Sequence, residues 1–143
     1  MKFIVNHTLR LSEWQNTKRL ANWLTEREGW SISEPYVAIG AENNQGKIVC
    51  VSVFNNFNKR DIEWTAAGKF TRGMLRVSLD YMFDTCACRR ATMRVKASNH
   101  HCLKSLMKLG ARVEGRLRHY YDENEDALVL GLLKEDCKYV QHF

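Results

Sequence analysis

The stretch ASNHHCLKSLMKLGARVEGRLRHYYDENEDALVLGLLKED, residues 97–136, decides how the chain is read. Leu103, Leu106, Met107 and Leu109 recur at helical spacing and predict an apolar stripe, and Gly110 stands where a helix C-terminal cap belongs. Residues 112–121 and 127–133 then predict a hairpin around the acidic run 122–126. The stretch opens on His100, His101 and Cys102, which invite a metal reading. Consecutive helical residues point about 100° apart, so these three cannot converge on one ion. Zinc ligands come as spaced pairs, and Cys86 and Cys88 lack a second pair at such spacing. No metal is expected.

Working outward, ATMRVK alternates Ala91, Met93 and Val95 against Thr92, Arg94 and Lys96. DIEWTA alternates Ile62, Trp64 and Ala66 against Asp61, Glu63 and Thr65. Between them Leu75, Leu79 and Met82, with Phe83 alongside, predict a helix over 71–84. A strand, a helix and a second strand of the same sheet imply a right-handed crossover, which makes 61–66 and 91–96 parallel. Further upstream, PYVAIGAENNQGKIVCVSVFNNF predicts two strands joined by a turn at 42–46. Trp14, Thr17, Ala21 and Leu24, behind a Ser12–Gln15 capping box, predict a helix near 12–27. The expected class is α/β, with a mixed, mostly antiparallel sheet, one parallel strand pair and flanking helices. Residues 1–143 show no linker and are expected to form a single domain.

At 143 residues the chain can bury about two-thirds of its unfolded surface. No apolar run approaches the roughly 20 residues that span a bilayer. The start, MKFIVNHTLRL, has only a four-residue apolar stretch and is not expected to be a secretory signal. Five cysteines, an odd number, then point to a reducing cytoplasm rather than a disulfide scaffold. The net charge of +6 favours acidic partners, among them a phosphorylated cofactor, nucleic acid or acidic protein. The basic residues are dispersed, which makes nucleic acid the weakest of these readings.

Asn99-His-His-Cys102, six residues on to Lys108-Leu109-Gly110-Ala111, and then Glu114-Gly-Arg116-Leu-Arg118 form one composite motif. With FTRGMLRVSLDYMF and CRRATMRVKASN, the segment 47–136 resembles the GCN5-related N-acetyltransferases. The resemblance is to the branch of ribosomal-protein N-terminal acetyltransferases, in the short versions of phage genomes. It implies acetyl-CoA lying between two parallel strands that splay apart, here 61–66 and 91–96, with Trp64 and Thr65 on the first. It places the diphosphate on backbone N–H groups at the start of the following helix, around Arg72, Gly73, Met74 and Leu75, with Lys69 and Arg72 adding charge. A helix start suits an anion because its first N–H groups lack partners and its dipole is positive there. Of the family's phosphate-loop glycines only Gly73 is present, and Leu75 stands where Gly or Ala is usual. Asn99 matches the residue that contacts the pantetheine arm, and an N-cap is its other reading. Cys102 replaces a serine near the departing thiolate, and Lys108 matches the lysine near the helix end.

Acetyl transfer needs a neutral amine, an acceptor for its proton and a donor to the leaving thiolate. Glu63, on the polar side of its strand, is the expected base, with a solvent-facing strand carboxylate the competing reading. Tyr121, with Tyr120 beside it, is the expected acid. Three functions remain open. One is a cytoplasmic acetyl-CoA-dependent N-acetyltransferase acting on a protein N-terminus, a lysine or a small amine; if a phage encodes it, it would act in the host cytoplasm, with a host protein as a candidate acceptor. Another is a non-catalytic binding or virion-associated relative of the fold; the third is a nucleic-acid partner. No membrane partner is expected, and a homodimer is compatible with all three.

Overall fold

The computed structural model describes residues 2–5, 11–29 and 31–139, with side chains described outside 2–5 and 11–15. In chain order the main elements are β1 (Lys2–Val5), α1 (Leu11–Glu28), β2 (Tyr36–Glu42), β3 (Ile48–Asn55), β4 (Asp61–Gly68) and α2 (Arg72–Asp80). They continue with β5 (Arg90–Lys96), α3 (His100–Leu109), β6 (Arg112–Asp122) and β7 (Glu125–Leu133). The seven strands are ordered β1-β2-β3-β4-β5-β7-β6. β4 and β5 are parallel, whereas β1–β2, β2–β3, β5–β7 and β6–β7 are antiparallel. The mixed, mostly antiparallel α/β class follows the sequence. Among the described residues no helix is long and apolar enough to cross a membrane. The residues gather into two compact units, Met1–Phe57 with Trp64–Ser78, and Asn58–Glu63 with Leu79–Phe143. β4 and α2 therefore contribute residues to both.

In the first unit α1 lays Leu20, Ala21 and Leu24 on Ala38, Val51, Val53 and Ala67, with Tyr36 completing the buried cluster. The helix sits close to the sheet at Gly40, where a Cβ would come within 2.5 Å of the Leu20 Cδ2. Gly68 ends β4 at φ +98°, and a Cβ there would lie 2.3 Å from the Val49 carbonyl oxygen, so both the conformation and the space require glycine. The turn between β2 and β3 is held by the Asn43 side chain, whose Oδ1 accepts from the Gln45 and Lys47 amides at 2.9 and 3.0 Å. The side chains of Trp14 and of the Ser12–Gln15 capping box lie outside the described ones. β1 is not predicted by the sequence. Four residues are too few to show alternation, and their strand geometry comes from pairing with β2, Lys2↔Glu42 to Val5↔Ile39.

In the second unit the alternation of β5 holds: Ala91, Met93 and Val95 are buried and Arg90, Thr92, Arg94 and Lys96 are not. The parallel register covers Asp61↔Arg90, Ile62↔Ala91 and Glu63↔Thr92, while β4 itself runs on to Gly68 and β5 to Lys96. The helix predicted over 71–84 is α-helical only to Asp80. Tyr81–Thr85 form one π-turn, closed by Cys86 N–H donating to the Tyr81 carbonyl at 2.9 Å. Within this turn the adjacent Met82 and Phe83 are both buried. In α3 the predicted stripe is narrower than expected. Leu103 and Leu109 are buried, but Met107 is half exposed. Met107 lies about 100° around the helix from the centre of the face that Leu103, Leu106 and Leu109 define. The cap is as predicted: Gly110 has φ +122°, its N–H reaches Leu106 and Met107, and a Cβ would strike the Asp136 carbonyl oxygen at 2.1 Å.

Candidate active site

Polar side chains of the second unit form a row along β4 and β5. Arg90 bridges Asp61 (3.2 Å) and Glu114 (2.6 Å), and Thr92 Oγ1 donates to Asp61 Oδ1 at 2.7 Å. One step along, Arg94 grips Glu63 with both terminal nitrogens, Nη1 to Oε2 at 2.6 Å and Nη2 to Oε1 at 3.0 Å. This fork-to-fork contact is the strong form of a charge-assisted pair. The hydrogen bonds to Glu63 raise the Arg94 pKa, burial opposes the rise, and the Glu63 charge adds to it, so the guanidinium stays charged. The expected base, Glu63, therefore has both carboxylate oxygens engaged.

Tyr120 and Tyr121 reach the same row from β6. Their rings meet edge to face, with centroids 5.0 Å apart. The Arg94 guanidinium lies 5.9 Å from the Tyr120 ring centre and Lys96 Nζ 5.8 Å from that of Tyr121. Tyr121 donates its hydroxyl to the Arg94 carbonyl at 3.2 Å. A wide bulge aims them. Between Leu117↔Ala127 and Asp122↔Glu125 the β6 register gains three residues over β7. His119 sits in the bulge at φ +55°. Asp126 holds it, Oδ1 accepting from the His119 amide at 2.9 Å and Oδ2 from Arg116 Nη1 at 2.6 Å. The His119 amide first, and then Arg116, lower the Asp126 pKa. Such bulges re-aim side chains beside functional sites.

At the start of α3, Asn99 is the N-cap, its Oδ1 accepting from the Cys102 amide at 3.2 Å. The cap brings Asn99 and half-buried Cys102 together. Lys108 is exposed on the last turn of the same helix. Among the described residues no group of three or more His, Cys, Asp and Glu side chains is placed to hold a metal ion.

In the first unit, α2 begins at Arg72 behind an N-capping Thr71. Thr71 Oγ1 accepts from the Met74 amide at 3.2 Å, and the Leu75 amide makes the first helical bond, to the Thr71 carbonyl at 3.0 Å. Of the four amides expected around a diphosphate, those of Arg72 and Gly73 alone have no such partner among the described residues. Both residues are exposed, whereas the Met74 side chain is buried and that of Leu75 half buried. The residues present suit an anion: two amides at a helix N-terminus, where the dipole is positive, with exposed Arg72 adding a positive charge. Trp64 is a core side chain, its Nε1 donating to Ser52 Oγ at 2.9 Å and its ring edge-on to Phe70. Only its backbone remains for a ligand, and Thr65 is half exposed.

Sequence reasoning passed over Arg94, Ser52 and Ser78. Arg94 was readable, because it and Glu63 fall on the polar positions of two strands predicted parallel. The signal for Ser52 and Ser78 is a hydroxyl in an apolar register, Ser52 within IVCVSVF and Ser78 four residues after Met74.

No protein-family model and no curated protein sequence matches the chain. Solved structures do. The spermidine N-acetyltransferase of Vibrio cholerae in complex with CoA and spermine superposes with a TM-score of 0.71 at 14% identity, over 98% of this chain and 98% of that one. A dodecameric structure of the same enzyme in an intermediate state gives 0.65 at 16% identity, over 90% and 77%. The ribosomal-protein-S5-alanine acetyltransferase of Vibrio fischeri gives 0.61 at 19% identity, over 89% and 74%. Likeness at such low identity speaks for architecture, and on it the chain has the GCN5-related N-acetyltransferase fold.

Proposed function

We propose that the protein transfers acetyl from acetyl-CoA to a primary amine. Fold alone does not assign an activity. The observation that carries the reading is the start of α2, where exposed Arg72 and Gly73 offer two amide N–H groups just after a strand of this fold. Bound acetyl-CoA supplies an activated thioester, so the chain's task is positioning, proton handling and charge stabilisation. In the first unit Arg72 and Gly73 hold the diphosphate and the backbone of Trp64 and Thr65 serves the pantetheine arm; of the second unit's residues, Asn99 is the one the family resemblance assigns to that arm and Tyr121 the candidate proton donor to the departing thiolate. Cys102, on the first turn of α3, is the residue the resemblance sets near the thiolate, and Lys108 lies at the other end of the helix. Glu63 receives the amine's proton through a water, its orientation held by Arg94. The acceptor class covers a protein N-terminus, a lysine or a small amine, with a host protein as acceptor if a phage encodes the chain.

The test is a calorimetric titration with acetyl-CoA and, beside it, S-acetyl-pantetheine, which lacks the diphosphate. Micromolar binding that requires the diphosphate, followed by acetylation of at least one amine in a screen of peptide N-termini, lysines and polyamines, is the expected result. Absence of binding up to millimolar acetyl-CoA refutes the reading. One observation favours a second reading, a non-catalytic binding protein of this fold: both oxygens of Glu63 already accept from Arg94. Under it, acetyl-CoA binds and no amine is acetylated.

A further inference from the structure

Two buried serines form a chain of hydrogen bonds that ends in the first turn of α2. Trp64 Nε1 donates to Ser52 Oγ at 2.9 Å, Ser52 Oγ and Ser78 Oγ are 2.8 Å apart, and Ser78 Oγ donates to the Met74 carbonyl at 2.9 Å. A hydroxyl carries one proton. Ser78 gives its proton to Met74, so Ser52 must donate to Ser78, and every bond in the chain points from β4 through β3 into the helix. Neither serine has any exposed surface. Hydrogen bonds aligned head to tail in a low-dielectric interior polarise one another and strengthen.

A serine bonded to the carbonyl four residues back slightly destabilises and bends a helix, so helix formation does not explain Ser78. Its partner does. Met74 lies one residue past Gly73, and its own amide is capped by Thr71 Oγ1 at 3.2 Å. The first turn of α2 is thereby fastened at the Thr71 cap and at the Met74 carbonyl, and the two amides with no partner lie between these ties. We propose that Ser78 and Ser52 are positioning residues, which hold the first turn of α2 so that the Arg72 and Gly73 amides converge on the diphosphate of acetyl-CoA. The proposal rests on the acetyl-CoA reading above.

The experiment compares acetyl-CoA with S-acetyl-pantetheine in the full chain and in Ser78→Ala. In the wild type the diphosphate strengthens binding. In Ser78→Ala that advantage falls by roughly fivefold, the size of one net hydrogen bond, while S-acetyl-pantetheine binds as before. In turnover the acetyl-CoA KM rises and kcat holds. A purely structural role would weaken both ligands alike, and that result, or an unchanged ratio, overturns the proposal. Should Ser78→Ala not fold, Ser52→Ala decides, since it breaks the chain upstream and leaves the Ser78–Met74 bond in place; the same loss at smaller size is expected. A wild type that does not distinguish the two ligands refutes the acetyl-CoA reading itself, before any variant is compared.

Discussion

The Glu63–Arg94 pair permits a measurable prediction, because its geometry is bidentate and its exposure intermediate. The two contacts are 2.6 and 3.0 Å, and the side chains are 16% and 35% exposed for Glu63 and Arg94. With the charges spread over both groups, an effective separation of ~4 Å at an effective dielectric of ~20 gives a gross attraction of about 4 kcal/mol. Solvent at the Arg94 end and the desolvation of both groups remove most of it. Exposed pairs retain at most about 1 kcal/mol, and a well-formed bidentate pair with one shielded partner lies at the upper end of that range. A coupling free energy of about 1 kcal/mol is therefore expected. The perturbation is a double-mutant cycle of Glu63→Gln, Arg94→Met and the pair, read by urea denaturation at neutral pH. Each single variant costs about 1–2 kcal/mol, since it leaves a partly buried charge without its partner. The double variant costs less than their sum by the coupling energy. The same three variants, assayed for acetyl transfer, separate two roles. A proton acceptor lost in Glu63→Gln lowers kcat by roughly two to four orders of magnitude, far more than Arg94→Met does. A coupling below about 0.3 kcal/mol would refute the assignment of Glu63 and Arg94 as a working pair.

Three other outcomes are expected. Gly110→Ala places a Cβ 2.1 Å from the Asp136 carbonyl oxygen at φ +122°, and should lower the unfolding free energy by about 2 kcal/mol or more; a change below ~0.5 kcal/mol would mean that the 134–138 turn yields freely. Asp126→Asn removes the charge that holds Arg116 and the His119 amide, so the Tyr120–Tyr121 pair should lose its fixed orientation, seen as weakened near-ultraviolet dichroism with secondary structure intact; an unchanged spectrum counts against the bulge as the aiming device. Burial pushes the Cys50 and Cys88 thiols up from 9.0 to about 11. Their folded values exceed the unfolded ones, so the stability linked to them is full below pH 9 and is lost as pH rises towards 11, by about 1–2 kcal/mol for each thiol. Urea midpoints at pH 8, 9.5 and 11 should show this loss, and a Cys50→Ala/Cys88→Ala double variant should reduce it, the raised Tyr81 and Cys86 retaining a part.

Where periodicity and a local cap agree, the sequence and the structure agree as well. β4, β5, α3 and the β6–β7 hairpin fall within a few residues of their predicted bounds, because alternation, an Asn99 N-cap and a Gly110 C-cap are local signals. The departures come from effects that no local pattern carries. β1 is a four-residue strand whose geometry depends on pairing with β2. The π-turn at Tyr81–Thr85 adds one residue to a helical turn, and the apolar sequence Met82-Phe83 is compatible with either spacing. The candidate site divides in the same way. Its row of polar positions on β4 and β5 was legible as a face, but the pairing of Glu63 with Arg94 needed the register of the parallel strands, which alternation alone leaves undetermined.

The bulge in β6 shows the deeper limit. Residues 118–121 read as a continuation of an ordinary strand, and nothing in Arg118-His119-Tyr120-Tyr121 announces a break. The break is set from the partner strand, by Asp126, whose two oxygens hold the His119 amide and the Arg116 guanidinium. His119 can occupy the left-handed region because that bond offsets the cost of the conformation, which is of order 1–3 kcal/mol for a residue other than glycine. Once the three extra residues are in place, Tyr120 and Tyr121 turn to the polar row of β5, where Arg94 and Lys96 meet their rings. The acidic run 122–126, which reads from sequence as a solvated turn, thus contains the residue that aims the proposed acid. Strain held outside the aromatic pair, by Asp126 at the His119 amide and by the Glu123 carbonyl at the His119 ring, is what a device for orienting Tyr121 requires, and a strand without the bulge would have left both tyrosines in ordinary alternation.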